Sequence, residues 1–89
     1  MIQNANDTDP EALAFSALVW TLGEDSRAQR LLALTGMTPD DLRARIGEPA
    51  VLAAILRFLE SHEPDLLACA EALHIPPTAL VDARRSLER

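Results

Sequence analysis

Three observations in the sequence predict an all-α fold, a compact bundle of five or six short helices. The apolar residues are mostly Leu and Ala, which are strong helix formers, and aromatic residues make up only 3% of the chain. Prolines and glycines alternate along the chain as if they begin and end helices. No segment alternates apolar and polar residues long enough to indicate a strand. The 89 residues allow one domain, and we expect a flexible N-terminal tail at 1–8 followed by a single helical domain at 9–89.

The prolines and glycines also place the individual helices. Proline is tolerated at the first helical position, whereas glycine readily adopts the left-handed conformation that ends a helix. The predicted helices are 10–22, 26–35, 39–46, 49–61, 64–74 and 77–88. Acidic residues concentrate at several helix starts, where the helix dipole favours negative charge. These acids are Asp9, Glu11, Asp40, Asp41, Glu48, Glu63 and Asp65.

Apolar residues recur with helical spacing inside the predicted helices. In the first helix, Phe15, Leu18, Val19 and Leu22 fall at i, i+3, i+4 and i+7. The stripes of the last three helices comprise Val51, Leu52, Ile55, Leu56 and Leu59, widened by Phe58; Leu66, Cys69, Ala70 and Leu73; and Leu80, Ala83 and Leu87. Each of these helices therefore has a face suited to packing against a neighbour.

The connection between the second and third helices carries the clearest local signal. Thr38 is a good N-cap, Pro39 suits the first turn, and Asp41 stands three residues after the cap. This is a capping box with Asp in place of the usual Glu. Met37 and Leu42 predict a hydrophobic staple that fixes the angle between the two helices.

A related turn is predicted 38 positions later, where Ile75, Pro77 and Leu80 take the places of Met37, Pro39 and Leu42. The likeness fades quickly, since an Arg in the first segment aligns with an Ala in the second. Two interpretations are open: either two helical hairpins use the same type of turn, or the chain contains a true internal duplication. Two copies do not make a solenoid, which needs about three or more repeats.

The composition excludes several classes of protein. The chain has 14 acidic and 8 basic residues, all eight of them Arg, and a net charge of −6. That sign argues against a general nucleic-acid binder, and the single Cys excludes an internal disulfide. The apolar run 12–22 is shorter than the roughly 20 residues of a membrane span, and the acids before it do not fit a secretory signal. We expect a cytoplasmic protein with no membrane contact.

An accessory DNA-binding regulator of the helix-turn-helix type is the alternative hypothesis. Residues 31–46 fit that outline loosely, with Gly36 in the turn, and 70–84 offer a second version. Asp40 and Asp41 would, however, face phosphates with like charge at the start of the recognition helix. The candidate nucleic-acid contacts are Arg43, Arg45, Arg84 and Arg85.

Catalytic and metal-binding signals are weak. Cys69 lies on the apolar face of its helix, so we interpret it as a small buried hydrophobe. His62 and His74 are not at a same-face helical spacing from it, although a nucleophilic thiol needs a nearby base. His62, Glu63 and Asp65 cluster at a helix start, where the dipole explains the acids. We expect no enzyme activity, no cofactor, no metal and no small-molecule substrate.

The first helix is the strongest functional lead, because residues 12–22 are apolar almost all the way round and only Ser16 and Thr21 interrupt them. So short a helix in so small a domain cannot be enclosed on every side, which predicts a surface for a protein partner or a second copy. Trp is enriched in interface hot spots, so Trp20 is either an anchor or an ordinary core residue. The candidate interface residues are Phe15, Leu18, Val19, Trp20 and Leu22.

Several segments of the chain together carry a family resemblance. They are L-A-L-T-G-M-T-P-D-D-L-R-A-R at 32–45, Glu48–Pro49, I-L-R-F-L-E at 55–60, E-P-D-L-L-A-C-A at 63–70 and A-R-R-S-L at 83–87. From about Glu11 onward the chain resembles a small alphaproteobacterial family of uncharacterised all-helical proteins, domain of unknown function family 3572. The resemblance implies a bacterial, cytoplasmic, single-domain helical protein, and it implies no activity or site residues.

The residues and the resemblance together predict a non-enzymatic protein–protein interaction module that self-associates through its apolar first helix. The DNA-binding alternative predicts salt-dependent binding that falls when the candidate arginines are replaced by Ala.

Overall fold

The all-α prediction is confirmed in a computed structural model that describes residues 9–89. Six helices are joined by short turns: α1 Pro10–Leu22, α2 Asp25–Thr35, α3 Pro39–Arg45, α4 Pro49–Glu60, α5 Glu63–Leu73 and α6 Pro77–Leu87. Every observed boundary lies within one residue of the predicted one. The prediction of a flexible tail at 1–8 lies outside the described residues.

The core is built around α4, which packs against α6 and α1, while α1 also packs against α6. Seven of the twelve residues of α4 are buried, the largest buried share in any of the six helices. Leu52, Ile55 and Leu59 in α4 and Leu80 in α6 have no exposed surface, so the centre of the molecule is aliphatic. Phe58 is the one aromatic side chain among the buried residues of 9–89.

Helix starts follow the predicted chemistry. The Asp9 carboxylate accepts hydrogen bonds from the backbone N–H groups of Glu11 at 3.0 Å and Ala12 at 3.4 Å, which caps α1. The capping box of α3 is complete, because the Asp41 N–H donates to the Thr38 hydroxyl at 3.0 Å and the Thr38 N–H donates to the Asp41 carboxylate at 3.1 Å. Local hydrogen bonds therefore define where both helices begin.

The two predicted helical hairpins, α2–α3 and α5–α6, have the same turn geometry. Gly36 ends α2 in the left-handed conformation with φ 74°, and His74 ends α5 with φ 58°. His74 therefore lies outside α5, which corrects the prediction that the fifth helix includes it. The leucines predicted to anchor the second helix of each hairpin, Leu42 and Leu80, are both buried.

Ion pairs join the C-terminal end of α6 to α4. The Arg84 guanidinium donates to both carboxylate oxygens of Glu60, at 2.7 and 3.0 Å, and to Glu88 at 3.0 Å. Arg57 in α4 donates to the other carboxylate oxygen of Glu88. Carboxylates on both sides raise the pKa of Arg84, and the two arginines lower the pKa of Glu88. This network holds α6 against α4 at the edge of the core.

Candidate interaction surface

The two sides of α1 have opposite environments although both are apolar. Its inward side is buried and consists of Leu13, Ala14, Ala17, Leu18 and Thr21. The Thr21 hydroxyl donates to the Ala17 carbonyl at 2.8 Å, so this buried polar group is satisfied within the helix. The outward side holds three large apolar side chains that none of the other five helices of residues 9–89 covers.

The exposed residues of the outward side are Phe15, Val19 and Leu22, with 40%, 69% and 44% of their surface accessible. Their spacing of i, i+4 and i+7 aligns them in one row along the helix. Large apolar side chains scattered singly over a surface are ordinary, but a row of three on one helix face is typical of an interaction surface. The structure thus brings together three of the five candidate interface residues.

Leu18 is the first correction to the predicted interface. It is only 2% exposed and belongs to the central core cluster, so it is not part of the exposed row on α1. Its position one turn after Ala14 and three residues after Phe15 places it at the border of the two sides of α1. The docking of α1 on its neighbours, which the periodicity alone does not define, decides that Leu18 faces inward.

Trp20 is the second residue that the structure separates from the exposed row. It is partly buried against the core, and the guanidinium carbon of Arg27 lies 3.8 Å from the centre of its ring. Arg27 also donates a hydrogen bond to the Trp20 carbonyl at 2.6 Å. This cation–π contact joins the start of α2 to the end of α1 and covers the ring, so Trp20 is not a free anchor.

An apolar groove extends the exposed row toward α2 and α3. Its volume is about 350 Å³, and Leu22 lines it as well as belonging to the row. The remaining lining residues are Leu18, Ala28, Leu32, Pro39, Leu42, Arg43 and Ile46. We call the exposed row of Phe15, Val19 and Leu22 together with this groove the α1 surface. The helical periodicity did not identify Leu32 and Ile46 as surface candidates, because their place in the groove depends on how α2 and α3 lie relative to α1.

The candidate nucleic-acid contacts are mostly paired with carboxylates. Arg43 binds Asp40 at 2.7 Å and Arg45 binds Glu48 at 3.2 Å, while Arg84 belongs to the α4–α6 network. Of the four candidates, Arg85 alone forms no ion pair within residues 9–89. Two of these arginines lie in the last turn of α3 and two in the last turn of α6, so they do not form one basic face on α3.

The turn that would approach DNA is acidic in the structure. Asp40 and Asp41 form the first turn of α3, as predicted. The Thr38 N–H donates to the Asp41 carboxylate, and this hydrogen bond lowers the pKa of Asp41. Asp41 therefore carries its negative charge at neutral pH and repels a phosphate placed at this end of α3.

Cys69 is fully buried in the core, which confirms its interpretation as a small hydrophobic residue. Burial raises the pKa of its thiol to about 11, so the reactive thiolate is disfavoured at neutral pH. His62 and His74, which are exposed, cap the two ends of α5. In the described part of the chain, no three His, Cys, Asp or Glu side chains are grouped as metal ligands would be.

The fold and this surface define a small helical-bundle protein with an exposed apolar helix face. No helix within residues 9–89 is long and apolar enough to cross a membrane. Residues 7–89 match the family described as "Protein of unknown function (DUF3572)", and the chain belongs to that family. The comparisons with curated proteins and with solved structures give no match. The family membership confirms the resemblance, whereas an alphaproteobacterial origin stays a prediction.

Proposed function

We propose that this protein is a non-enzymatic protein–protein interaction module that self-associates through the α1 surface. The observation that carries the proposal is the exposed row on α1, in which Val19 at the centre is 69% accessible. Burial of apolar surface is the main favourable term in protein association, and a chain of this size gains stability from a second copy. The complete burial of Cys69 and the raised pKa of its thiol argue against a nucleophilic role for that side chain.

The row has a spacing that suits pairing with itself. In an antiparallel pair of α1 helices related by a twofold axis near Val19, Phe15 of one copy lies opposite Leu22 of the other. Leu22 borders the 350 Å³ groove, which is large enough to receive a phenyl ring. Each copy therefore offers both a protruding aromatic side chain and a place for it, as an isologous interface requires.

The net charge of −6 gives the proposal a distinctive salt dependence. Two acidic copies repel each other at low ionic strength, and salt screens that repulsion while leaving apolar contacts intact. Self-association should therefore strengthen as salt rises. Binding to DNA has the opposite dependence, because salt competes with phosphate contacts.

The test is light scattering across a protein concentration series at low and high salt. We expect a concentration-dependent dimer for the unmodified chain, and at least about tenfold weaker association for Val19→Asp, which buries a charge in the interface. Leu67→Asp is the control, since it introduces the same charge at another exposed apolar side chain, on α5 and away from the α1 surface. A strict monomer at all concentrations would contradict self-association, and equal association of the two variants would contradict self-association through the α1 surface.

The same protein can be tested for the DNA-binding alternative, which the acidic first turn of α3 disfavours. Saturable binding to a mixed-sequence duplex that weakens with salt and is lost in the Arg43→Ala, Arg45→Ala double variant would replace the present proposal. We further propose that the protein is cytoplasmic, a compartment in which a free thiol such as that of Cys69 stays reduced.

A further inference from the structure

A second groove lies between the C-terminal part of α2 and the length of α4, on residues separate from the α1 surface. Its volume is about 540 Å³, and it is open to solvent rather than enclosed. The floor consists of Val51, Ala54 and Phe58, and Leu34 and Met37 form a wall. Leu34 is 66% exposed, so its side chain is accessible to a partner in the groove.

The shape of the groove fits a helix better than a compact small molecule. The lining runs along α4 from Ala50 to Ser61, the residue that follows the helix, which corresponds to about 16 Å along the helix axis. Ala50 and Ala54 are small, so a second helix can approach α4 closely at these positions. An open trough of three helical turns is the geometry in which amphipathic helices are recognised by their apolar side chains.

Two arginines at the groove have guanidinium N–H groups that their own ion pairs do not use. Arg45 and Arg57 both line it, and their side chains are 50% and 61% exposed. Each is held by one hydrogen bond from Nε, to Glu48 and to Glu88 respectively. Within residues 9–89 the Nη atoms of both guanidinium groups donate no hydrogen bond. They are free to bind a carboxylate in the paired geometry that arginine favours.

We propose that this groove binds an amphipathic helix of a partner protein, one with an apolar stripe flanked by Asp or Glu. The apolar side chains fill the floor beside Leu34, and the carboxylates pair with Arg45 and Arg57. Glu48 and Glu88 hold the guanidinium groups in place at the rim. This binding goes beyond self-association, because it uses different residues and a different partner.

The probe is a fluorescently labelled helical peptide with leucines at i, i+3, i+4 and i+7 and glutamates on both flanks. Its binding is measured by fluorescence anisotropy, with a version in which every Glu is replaced by Gln as the uncharged comparison. We expect saturable binding that weakens with salt, and at least about tenfold weaker binding of the Gln peptide.

Protein variants test the arginines directly. Replacing both Arg45 and Arg57 by Gln should weaken binding of the Glu peptide at least about tenfold and leave the Gln peptide unchanged. Arg43→Gln is the matched control, because Arg43 is an exposed, ion-paired arginine outside this groove. All measurements are repeated in the Val19→Asp chain, so that loss of self-association does not affect the result.

Chemical-shift mapping on the unmodified protein locates the peptide without any substitution. The proposal expects the largest shifts at Leu34, Met37 and along α4. Shifts centred on Phe15 and Leu22 would overturn it while leaving the α1 surface as a binding site. Equal affinity for the Glu and Gln peptides, or no saturable binding at millimolar peptide, would overturn it outright.

Discussion

The hairpins α2–α3 and α5–α6 share one turn but differ in what they do to the surface of the molecule. Both end the first helix with a left-handed residue and begin the second helix at a proline, followed by a buried leucine. In α5–α6 the second helix has 11 residues and packs along α1 and α4. In α2–α3 it has seven residues, of which only Leu42 is buried.

The difference shows that turn chemistry defines a hairpin, whereas the length and packing of the second helix decide whether it closes the core. α3 relies on local hydrogen bonds, since its capping box is complete. α6 has no side-chain cap and relies on burial and ion pairs with α4. Because α3 is short, the groove between α1, α2 and α3 stays open, and that groove belongs to the α1 surface.

The largest predicted effect on stability comes from truncating the buried leucines of α6 and α3. Leu80→Ala should lower the free energy of unfolding by about 3–5 kcal/mol, because Leu80 is fully enclosed and its removal leaves a cavity. Leu42→Ala should cost about 2 kcal/mol, because the edge of the molecule can relax around it. Chemical denaturation followed by circular dichroism measures both. Equal losses would mean that α3 is as integral to the core as α6.

The next effect concerns the left-handed residues. Gly36→Ala should destabilise the protein by about 1 kcal/mol through backbone strain alone, since a Cβ there meets no atom within 4 Å. His74→Gly should stabilise it by up to about 1 kcal/mol, because glycine adopts the same conformation without strain. Gly47→Ala is the control, since it also has open space but no positive φ. A loss at Gly47 as large as at Gly36 would contradict the strain explanation.

A smaller effect on stability is expected from removing a threonine at the start of α3 rather than at the start of α6. Thr38→Ala removes the capping box of α3 and should cost about 1 kcal/mol. Thr78→Ala at the start of α6 should change stability by less than about 0.5 kcal/mol, because α6 has no side-chain cap. Thermal unfolding of the two variants provides the comparison, and a matching loss at Thr78 would show that α6 depends on a cap after all.

The smallest effect is a loss of stability at acidic pH, to which one carboxylate in each hairpin contributes. Hydrogen bonds from Thr38 lower the pKa of Asp41, and those from Arg57 and Arg84 lower the pKa of Glu88. A carboxyl whose pKa is lower in the folded state stabilises the fold above its unfolded pKa, and loses that contribution as pH falls through the folded pKa. The destabilisation caused by Asp41→Asn or Glu88→Gln should therefore shrink in melting curves between about pH 6 and about pH 2. A difference from the unmodified protein that stays constant over this range would contradict the pKa directions.

The helices could be predicted from the sequence because local chemistry defines them. Pro39, Thr38 and Gly36 act on their own backbone and immediate neighbours, so their roles do not depend on the rest of the fold. The acids at helix starts have the same local character, and they account for part of the net charge of −6.

The surface could be predicted only in part. The periodicity placed Leu18 and Val19 together, but one is buried and the other is the most exposed apolar residue of α1. Which of them faces outward depends on contacts of α1 with α4 and α6, which are distant in sequence. The position of the Arg27 guanidinium over the Trp20 ring likewise depends on the turn at Gly23, so residue spacing alone could not predict it.

The most direct test of the central claim is an isotope-filtered nuclear Overhauser experiment on an equal mixture of labelled and unlabelled protein. Only contacts between copies give signals in that experiment. Self-association through the α1 surface predicts signals from the Phe15 ring to the Leu22 methyl groups, with Val19 methyl groups near the twofold axis. Contacts between copies confined to α5 and α6, or no contacts at concentrations where dimer forms, would contradict it.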